Sequence, residues 1–425
     1  MKKRLFSPLL AAALAAALAA AVALTAAALP AFADGGEETP ITIGQSQEQQ
    51  AECTCTVLCT GDSVNADCPV CGAEGADLTA CEGTTPAMLS IAAPQADGDT
   101  VYVGGEALTY SGTEVYATTD DSGNVITDGA TADNYNIKWD GKTLTLRNAT
   151  IKKELAYDQN TPAGSTIPGS AIGVLNQSGD AELTVQLEGS NTIDEVSTGI
   201  YVHSSGGGAA LSITGNGTLV IDSTFCPIQV ISFNGNAALS IENAKVTATS
   251  SYYNGVTVQS GNSENSSASL TVNGGSLTAT ADSRNVSGIR LRLGTSGTSD
   301  DTPTVTVSNN AIVRANGSAG GITSNSSTGV QYGTGGEETG GIIWNGAEGT
   351  VYGEVELQED LEIGEGESLT IPGGASLNTN GKLTVDGGTL TGNVTGDVIY
   401  KVTGVSLSPK TLSLNPGKEG TLIAT

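Results

Sequence analysis

The sequence predicts an all-β chain whose main body is a right-handed parallel β-helix, and three patterns between Ser170 and Ser326 predict it. Glycine followed by a β-branched residue recurs as Gly173-Val174, Gly199-Ile200, Gly255-Val256, Gly288-Ile289 and Gly321-Ile322, with Pro227-Ile228 filling the one gap. The spacing is roughly 26 to 33 residues, the size of one solenoid rung. Apolar columns run in step: Leu183, Leu211, Leu239, Leu270 and Val305, then Val185, Ile213, Ile241, Val272 and Val307 two residues on. Asn and Gly clusters supply the third pattern, at Gly215-Asn216-Gly217, Asn243, Asn273-Gly274-Gly275 and Asn309-Asn310.

Each unit therefore holds three short strands with period-two alternation. The third strand carries Leu219, Val246, Leu277 and Val313, partnered by Ile221, Ala248, Ala279 and Ala315. A triplet this short cannot bury its apolar face alone. Stacking rung on rung places Val174, Ile200, Ile228, Val256, Ile289 and Ile322 in one interior row. Asn and Gly tolerate left-handed backbone angles and suit the corner between the second and third strands. A sandwich of antiparallel hairpins is the competing fold, and it would not keep this register from unit to unit.

In chain order, residues 1–33 read as a signal peptide. Lys2, Lys3 and Arg4 precede an Ala/Leu run, and Ala31-Phe32-Ala33 offers a cleavage site before Asp34. An uncleaved anchor is the alternative; cleavage leaves no segment that inserts into a membrane and predicts a secreted or cell-surface protein. Residues 34–50 are a polar linker. Residues 51–81 form a cysteine-rich module with Cys53, Cys55, Cys59, Cys68, Cys71 and Cys81. An even count in an exported chain reads as three disulfides, whereas Cys68-Pro69-Val70-Cys71-Gly72 has the form of a zinc knuckle. A module with so few large apolar residues needs one or the other. Cys226 reads as a buried free thiol.

Residues 82–97 are a second linker, and 98–400 are the β-helix domain. Val101-Tyr102-Val103, Tyr135-Asn136-Ile137-Lys138-Trp139 and Leu144-Thr145-Leu146 are expected to form its cap and first rung, because an open end would expose apolar rows and an unpaired edge. Leu361-Glu362-Ile363, Leu369-Thr370-Ile371 and Leu383-Thr384-Val385 continue the rungs in a different pattern. Residues 402–425 resemble the start of a group 2 bacterial immunoglobulin-like domain, through Val405-Ser406-Leu407-Ser408-Pro409 and Leu412-Ser413-Leu414-Asn415-Pro416-Gly417; the segment is far shorter than such a domain.

Charge excludes some functions. The formal charge is −28, and removal of the basic leader makes it about −31. Phosphate contacts need clustered Lys and Arg, so the chain is not a nucleic-acid binder. Acidic surfaces of this kind attract Ca²⁺ and keep a monomer soluble. The composition offers no phosphate-binding glycine loop after a strand. The acidic pairs Asp120-Asp121 and Asp300-Asp301 lie in Gly/Ser/Thr-rich loops, where they read as turn residues or loose Ca²⁺ ligands rather than paired catalytic carboxylates. The single histidine, His203, precedes Ser204 and so lacks a His-Gly pair.

The outer face of the first strand is the candidate ligand surface. Aligning units puts Leu175, Tyr201, Gln229, Thr257, Arg290 and Thr323 in one outward column, and Gln177, His203, Ile231, Gln259, Arg292 and Asn325 in another. Tyr201, His203, Gln229, Gln259, Arg290 and Arg292 are the proposed ligand-binding residues. An aromatic ring stacks on a sugar, amides bond hydroxyls and Arg pairs with carboxylate. A solvated sheet face is the alternative. The same arginines are also the best-placed candidates for a lyase base.

Val101-Tyr102-Val103-Gly104-Gly105, Tyr135 to Gly141, Leu144-Thr145-Leu146 and the following rungs resemble exported carbohydrate-binding domain-containing proteins of clostridia and related gut bacteria. The cysteine block is similar to one that precedes such domains. The resemblance implies a parallel β-helix, similar to polysaccharide lyases in fold, that binds cell-wall glycans such as cellulose and polygalacturonate with Ca²⁺ present; the missing catalytic pattern of carboxylates and His-Gly predicts no enzyme activity. Its motifs are structural and carry over no binding residue. A structural adhesin or stalk without glycan specificity is the other function class these residues allow.

Overall fold

The computed structural model describes residues 99–155, 169–262, 266–294, 302–337 and 339–401, with two short strands beyond them. Those two, Leu407–Ser408 and Ile423–Ala424, pair antiparallel. The leader, both linkers, the six clustered cysteines, and Asp300 and Asp301 lie outside the described residues. Among the described residues there is no helix, so none is long and apolar enough to cross a membrane.

The described chain is all-β, built from long parallel sheets consistent with a β-helix or solenoid. A sixteen-stranded and a ten-stranded sheet hold most of it. The second strands of successive units, Ala181–Glu188, Ala209–Gly215, Ala237–Glu242, Ala268–Asn273 and Thr304–Ser308, pair in parallel and in register. The Leu183–Leu211–Leu239–Leu270–Val305 column is thereby aligned and buried. Alternation explains why: in Ala209–Gly215, Leu211 and Ile213 point inward while Ser212 is half-buried outside. The third-strand column of Leu219, Val246, Leu277 and Val313 is aligned the same way.

Local chemistry turns each corner. Asn243, Asn309 and Asn310 have φ of 57°, 52° and 62°, and Gly274 and Gly275 have 71° and 67°, as the corner composition requires. At the opposite corner Ser232 Oγ donates to the Gly207 carbonyl at 2.7 Å and accepts the Gly235 N–H at 2.7 Å. Ser204 makes the same pair of bonds one rung earlier, to Gly179 and Gly207.

The glycine pattern has a different cause and misplaces one rung. Ile200 pairs with Ile172, not Val174, so the interior row is Ile172, Ile200, Ile228, Val256, Ile289 and Ile322. Val174 belongs to the neighbouring row, opposite Val202. The slot before the row needs a small side chain because another strand passes close by. A Cβ on Gly255 would sit 2.7 Å from the Gly288 carbonyl and 3.0 Å from the Thr280 nitrogen. Ala171 fills that slot in the first rung, and Gly173-Val174 merely imitates it.

Antiparallel strands close the N-terminal end. The hairpin of Asp99–Val103 and Glu106–Tyr110 pairs antiparallel with Ser170–Asn176. Val115–Thr119, Ile137–Trp139 and Thr143–Arg147 run antiparallel, and the last then starts the parallel ladder on Ala181–Glu188. Asp140 Oδ1 makes their turn by accepting the Lys142 and Thr143 N–H groups at 2.9 and 2.6 Å.

At the other end the chain reverses. Gly341–Asn345 pairs in parallel with Ala311–Gly317 and antiparallel with Glu348–Tyr352. Beyond this hairpin a smaller solenoid begins, with three parallel ladders such as Leu361–Ile363 on Leu383–Val385 on Val398–Tyr400. Its core, containing Val351, Val355, Leu361, Ile363, Leu369, Leu377 and Leu383, is separate from the first. Gly341–Asn345 serves both: Ile343 packs in the first core, and Ile342 and Trp344 pack in the second. Glu367 pairs with Arg314 at 2.9 Å and Glu359 pairs with Lys245, so turns of the small solenoid lie against the outer side of the third strands.

Candidate functional site

The first strand of each rung presents the two outward columns. Register makes them Gly173–Tyr201–Gln229–Thr257–Arg290–Thr323 and Leu175–His203–Ile231–Gln259–Arg292. Leu175 therefore sits beside His203, and Gln177 lies beyond the pairing. Asn325 bonds the edge of the preceding rung instead, accepting the Leu293 N–H at 2.8 Å and donating to its carbonyl at 2.9 Å. Adjacent rungs are about 4.8 Å apart, so Tyr201 and Arg290 are separated by roughly 14 Å. The six candidate residues share one face on four consecutive rungs.

Exposure divides that face. Tyr201, His203 and Gln229 are 7%, 2% and 7% exposed, whereas Gln259 and Arg290 are half-buried and Arg292 is exposed. Tyr201 is thus not an open stacking platform. Gly173 beside it leaves room for the ring to lie against its neighbours. Its hydroxyl bonds His203 Nδ1 at 3.1 Å, and the His203 ring meets Phe233 edge-on at 4.6 Å. Burial pushes the Tyr201 phenol up to about 12 and lowers His203 below its ordinary value. His203 Nε2 is buried without a hydrogen-bond partner among the described residues.

A buried imidazole that folds best in its neutral form contributes stability that is full above the unfolded pKa of about 6.5 and declines as pH falls toward the lowered folded value. Thermal melts between pH 7 and pH 5 are expected to show a fall in stability that His203→Phe reduces. An identical pH dependence in the variant would assign the fall to carboxylates.

The arginine end is built differently. Ile289, Leu291 and Leu293 are buried, so Arg290 and Arg292 project outward. Arg292 Nη1 reaches only Gln259 Oε1, at 3.5 Å. Neither guanidinium has a carboxylate partner among the described residues. Six other cations do pair: Lys138, Arg147, Lys152, Lys245, Arg314 and Lys401. In so acidic a protein, two adjacent guanidiniums without a carboxylate partner among the described residues stand out.

Sequence reasoning missed a second feature on this face. At the corner leading into the first strand, Phe225 and Tyr253 stack at 4.6 Å with rings 2° apart. The Tyr253 N–H donates to the Phe225 carbonyl at 3.1 Å, which places the two aromatics on adjacent rungs. Phe225 is 40% exposed and Tyr252 71%. A cleft of about 300 Å³ opens beside them, lined by Glu154, Gly169, Ser197, Thr198, Tyr201, Phe225 and Gln229. The signal was present in the recurrence of aromatic residues at equivalent corners, Phe225 in one unit and Tyr252-Tyr253 in the next.

Other candidates have structural employment. Asp120 Oδ1 accepts the Ser122 and Asn124 N–H groups, each at 2.9 Å, and Asn124 Nδ2 donates to Oδ2 at 2.7 Å. These bonds, that from the Asn124 side chain foremost, hold its carboxyl below the usual range. Cys226 is a buried free thiol, and burial pushes it up to about 12. No group of three or more His, Cys, Asp or Glu side chains is placed to hold a metal among the described residues. Comparison with family models, curated proteins and solved structures finds no match for this chain.

Proposed function

We propose that the chain is a non-catalytic polysaccharide-binding protein, exported and displayed at a bacterial surface, whose ligand is a plant cell-wall glycan such as pectin or cellulose. The observation that carries this reading is the Arg290/Arg292 pair, adjacent, outward and without carboxylate partners among the described residues, beside the half-buried amide of Gln259. Guanidiniums in this state bind carboxylates, and the neighbouring half-buried Gln259 and Thr323 offer polar groups to hydroxyls. The resemblance of the rungs to clostridial carbohydrate-binding domains adds weight, as does the −28 charge, which makes a local cationic site conspicuous. The proposal includes a right-handed coil, a cysteine module closed by disulfides or zinc, an immunoglobulin-like segment from 402 onward, and Ca²⁺ held by Asp300 and Asp301 to bridge an acidic glycan.

Pull-down of the mature chain on insoluble cellulose and pectin, with and without Ca²⁺, tests the reading. Replacing both arginines by Ala is expected to weaken pectin binding by about 1–3 kcal/mol and to leave cellulose binding unchanged. Chelation should show the same selectivity. Unchanged pectin affinity would move the site off this face.

A second reading, a surface stalk without glycan specificity, draws on the ladders themselves. Ladders of parallel strands stacked rung on rung, in the ten- and sixteen-stranded sheets, suit a stiff spacer. Failure of the chain to bind any polysaccharide would favour it.

A further inference from the structure

We infer that the corner cleft beside Tyr201 is a subsite for one uncharged pyranose ring; the inference rests on the polysaccharide reading above and assigns residues that the arginine pair does not involve. Its volume of about 300 Å³ suits one small ring rather than an extended chain. Gln229 supplies the most specific observation. It is 7% exposed and lines the cleft, yet its amide has no hydrogen-bond partner among the described residues. The amide is not among the fully buried unpartnered groups, so it faces the water of the cleft, where a ligand hydroxyl that both donates and accepts can take that water's place.

The remaining walls define the ligand class. Phe225 is backed by Tyr253 on one side and lines the cleft, so it offers a fixed apolar surface to the C–H face of a sugar. Glu154 accepts the Ser197 N–H through Oε2 and lines the cleft. An ionised carboxylate accepts hydroxyl hydrogens and repels other carboxylates, phosphates and sulfates. A uronate is therefore disfavoured at this corner and favoured at the arginines. Gln229 and Arg290 are two rungs apart, roughly 10 Å, so a single glycan can place a neutral unit in the cleft and an acidic one on the guanidiniums.

Calorimetric titration of the full chain with neutral tetrasaccharides of glucose and of galactose, and with a galacturonate tetramer, tests this. Gln229→Leu, which keeps volume, and Phe225→Ala, at an exposed position, are each expected to weaken neutral binding roughly tenfold and to change galacturonate binding less than about twofold. Glu154→Gln should retain neutral binding and strengthen galacturonate binding. The inference is overturned if the parent chain binds only the acidic tetramer, or if both variants bind the neutral sugars as the parent does; the polysaccharide reading survives either result. If the parent chain binds neither the tetrasaccharides nor the insoluble glycans, the polysaccharide reading itself fails and the subsite with it.

Discussion

Ile228→Asp is expected to melt the middle of the large solenoid. Ile228 is fully buried, paired with Ile200 on one side and Val256 on the other, with Val230 two residues on in the neighbouring buried row. A carboxylate there meets only hydrocarbon, so it either stays ionised without a partner or takes up a proton at a cost. Loss of the isoleucine alone costs about 2–5 kcal/mol, and an uncompensated buried charge adds several more. Set against a typical total of about 5–15 kcal/mol, the sum removes most of the stability. Coupling in a solenoid is between nearest neighbours, so protection from hydrogen exchange should vanish first in Ser190–Ser204, Thr218–Ser232 and Val256–Gln259. Ile228→Val, by contrast, should cost only about 0.5–1.5 kcal/mol. Near-native melting of the aspartate chain would mean that this row is not the core.

Trp344→Ala is expected to release the small solenoid. The indole is fully buried, Arg314 lies 4.1 Å from its ring centroid, and a Cβ on Gly349 would sit 2.7 Å from it, so the hairpin is shaped around this side chain. Truncating a buried Trp costs about 3–5 kcal/mol. The cavity opens in the second core, and Leu361–Ile363 and Leu383–Val385 should lose exchange protection while Ala209–Gly215 and Ala237–Glu242 keep theirs. Trp344→Phe should retain most of the packing. Protection that falls uniformly along the chain, or not at all, would contradict this partition.

The repeat was legible because its cause is local and recurs. Leu211, Leu239 and Leu270 each sit two residues before a second buried aliphatic, and the corner Asn and Gly residues announce each turn. Register in the first rung was not, because Gly173-Val174 and Ala171-Ile172 satisfy the same motif and only pairing with Ile200 separates them. The chain reversal also went unread. Ile342-Ile343-Trp344 is a continuous apolar run where other third strands alternate, which is the pattern of a strand covered on both faces. The outward direction of Arg290 and Arg292 followed from alternation alone. The burial of Tyr201, His203 and Gln229 depends on what packs over the sheet, and a two-residue period carries no information about that.

The strand Gly341–Asn345 is also a mechanical joint between the two cores. Its Ile343 packs on the ladder side with Ala311–Gly317, whereas Ile342 and Trp344 pack in the second core, to which the returning strand Glu348–Tyr352 contributes Val351. Damage confined to either core can therefore reach the other through this shared strand. The two faces of one strand thus belong to two cores, and the turn at Gly346 is the place in the chain where the second begins.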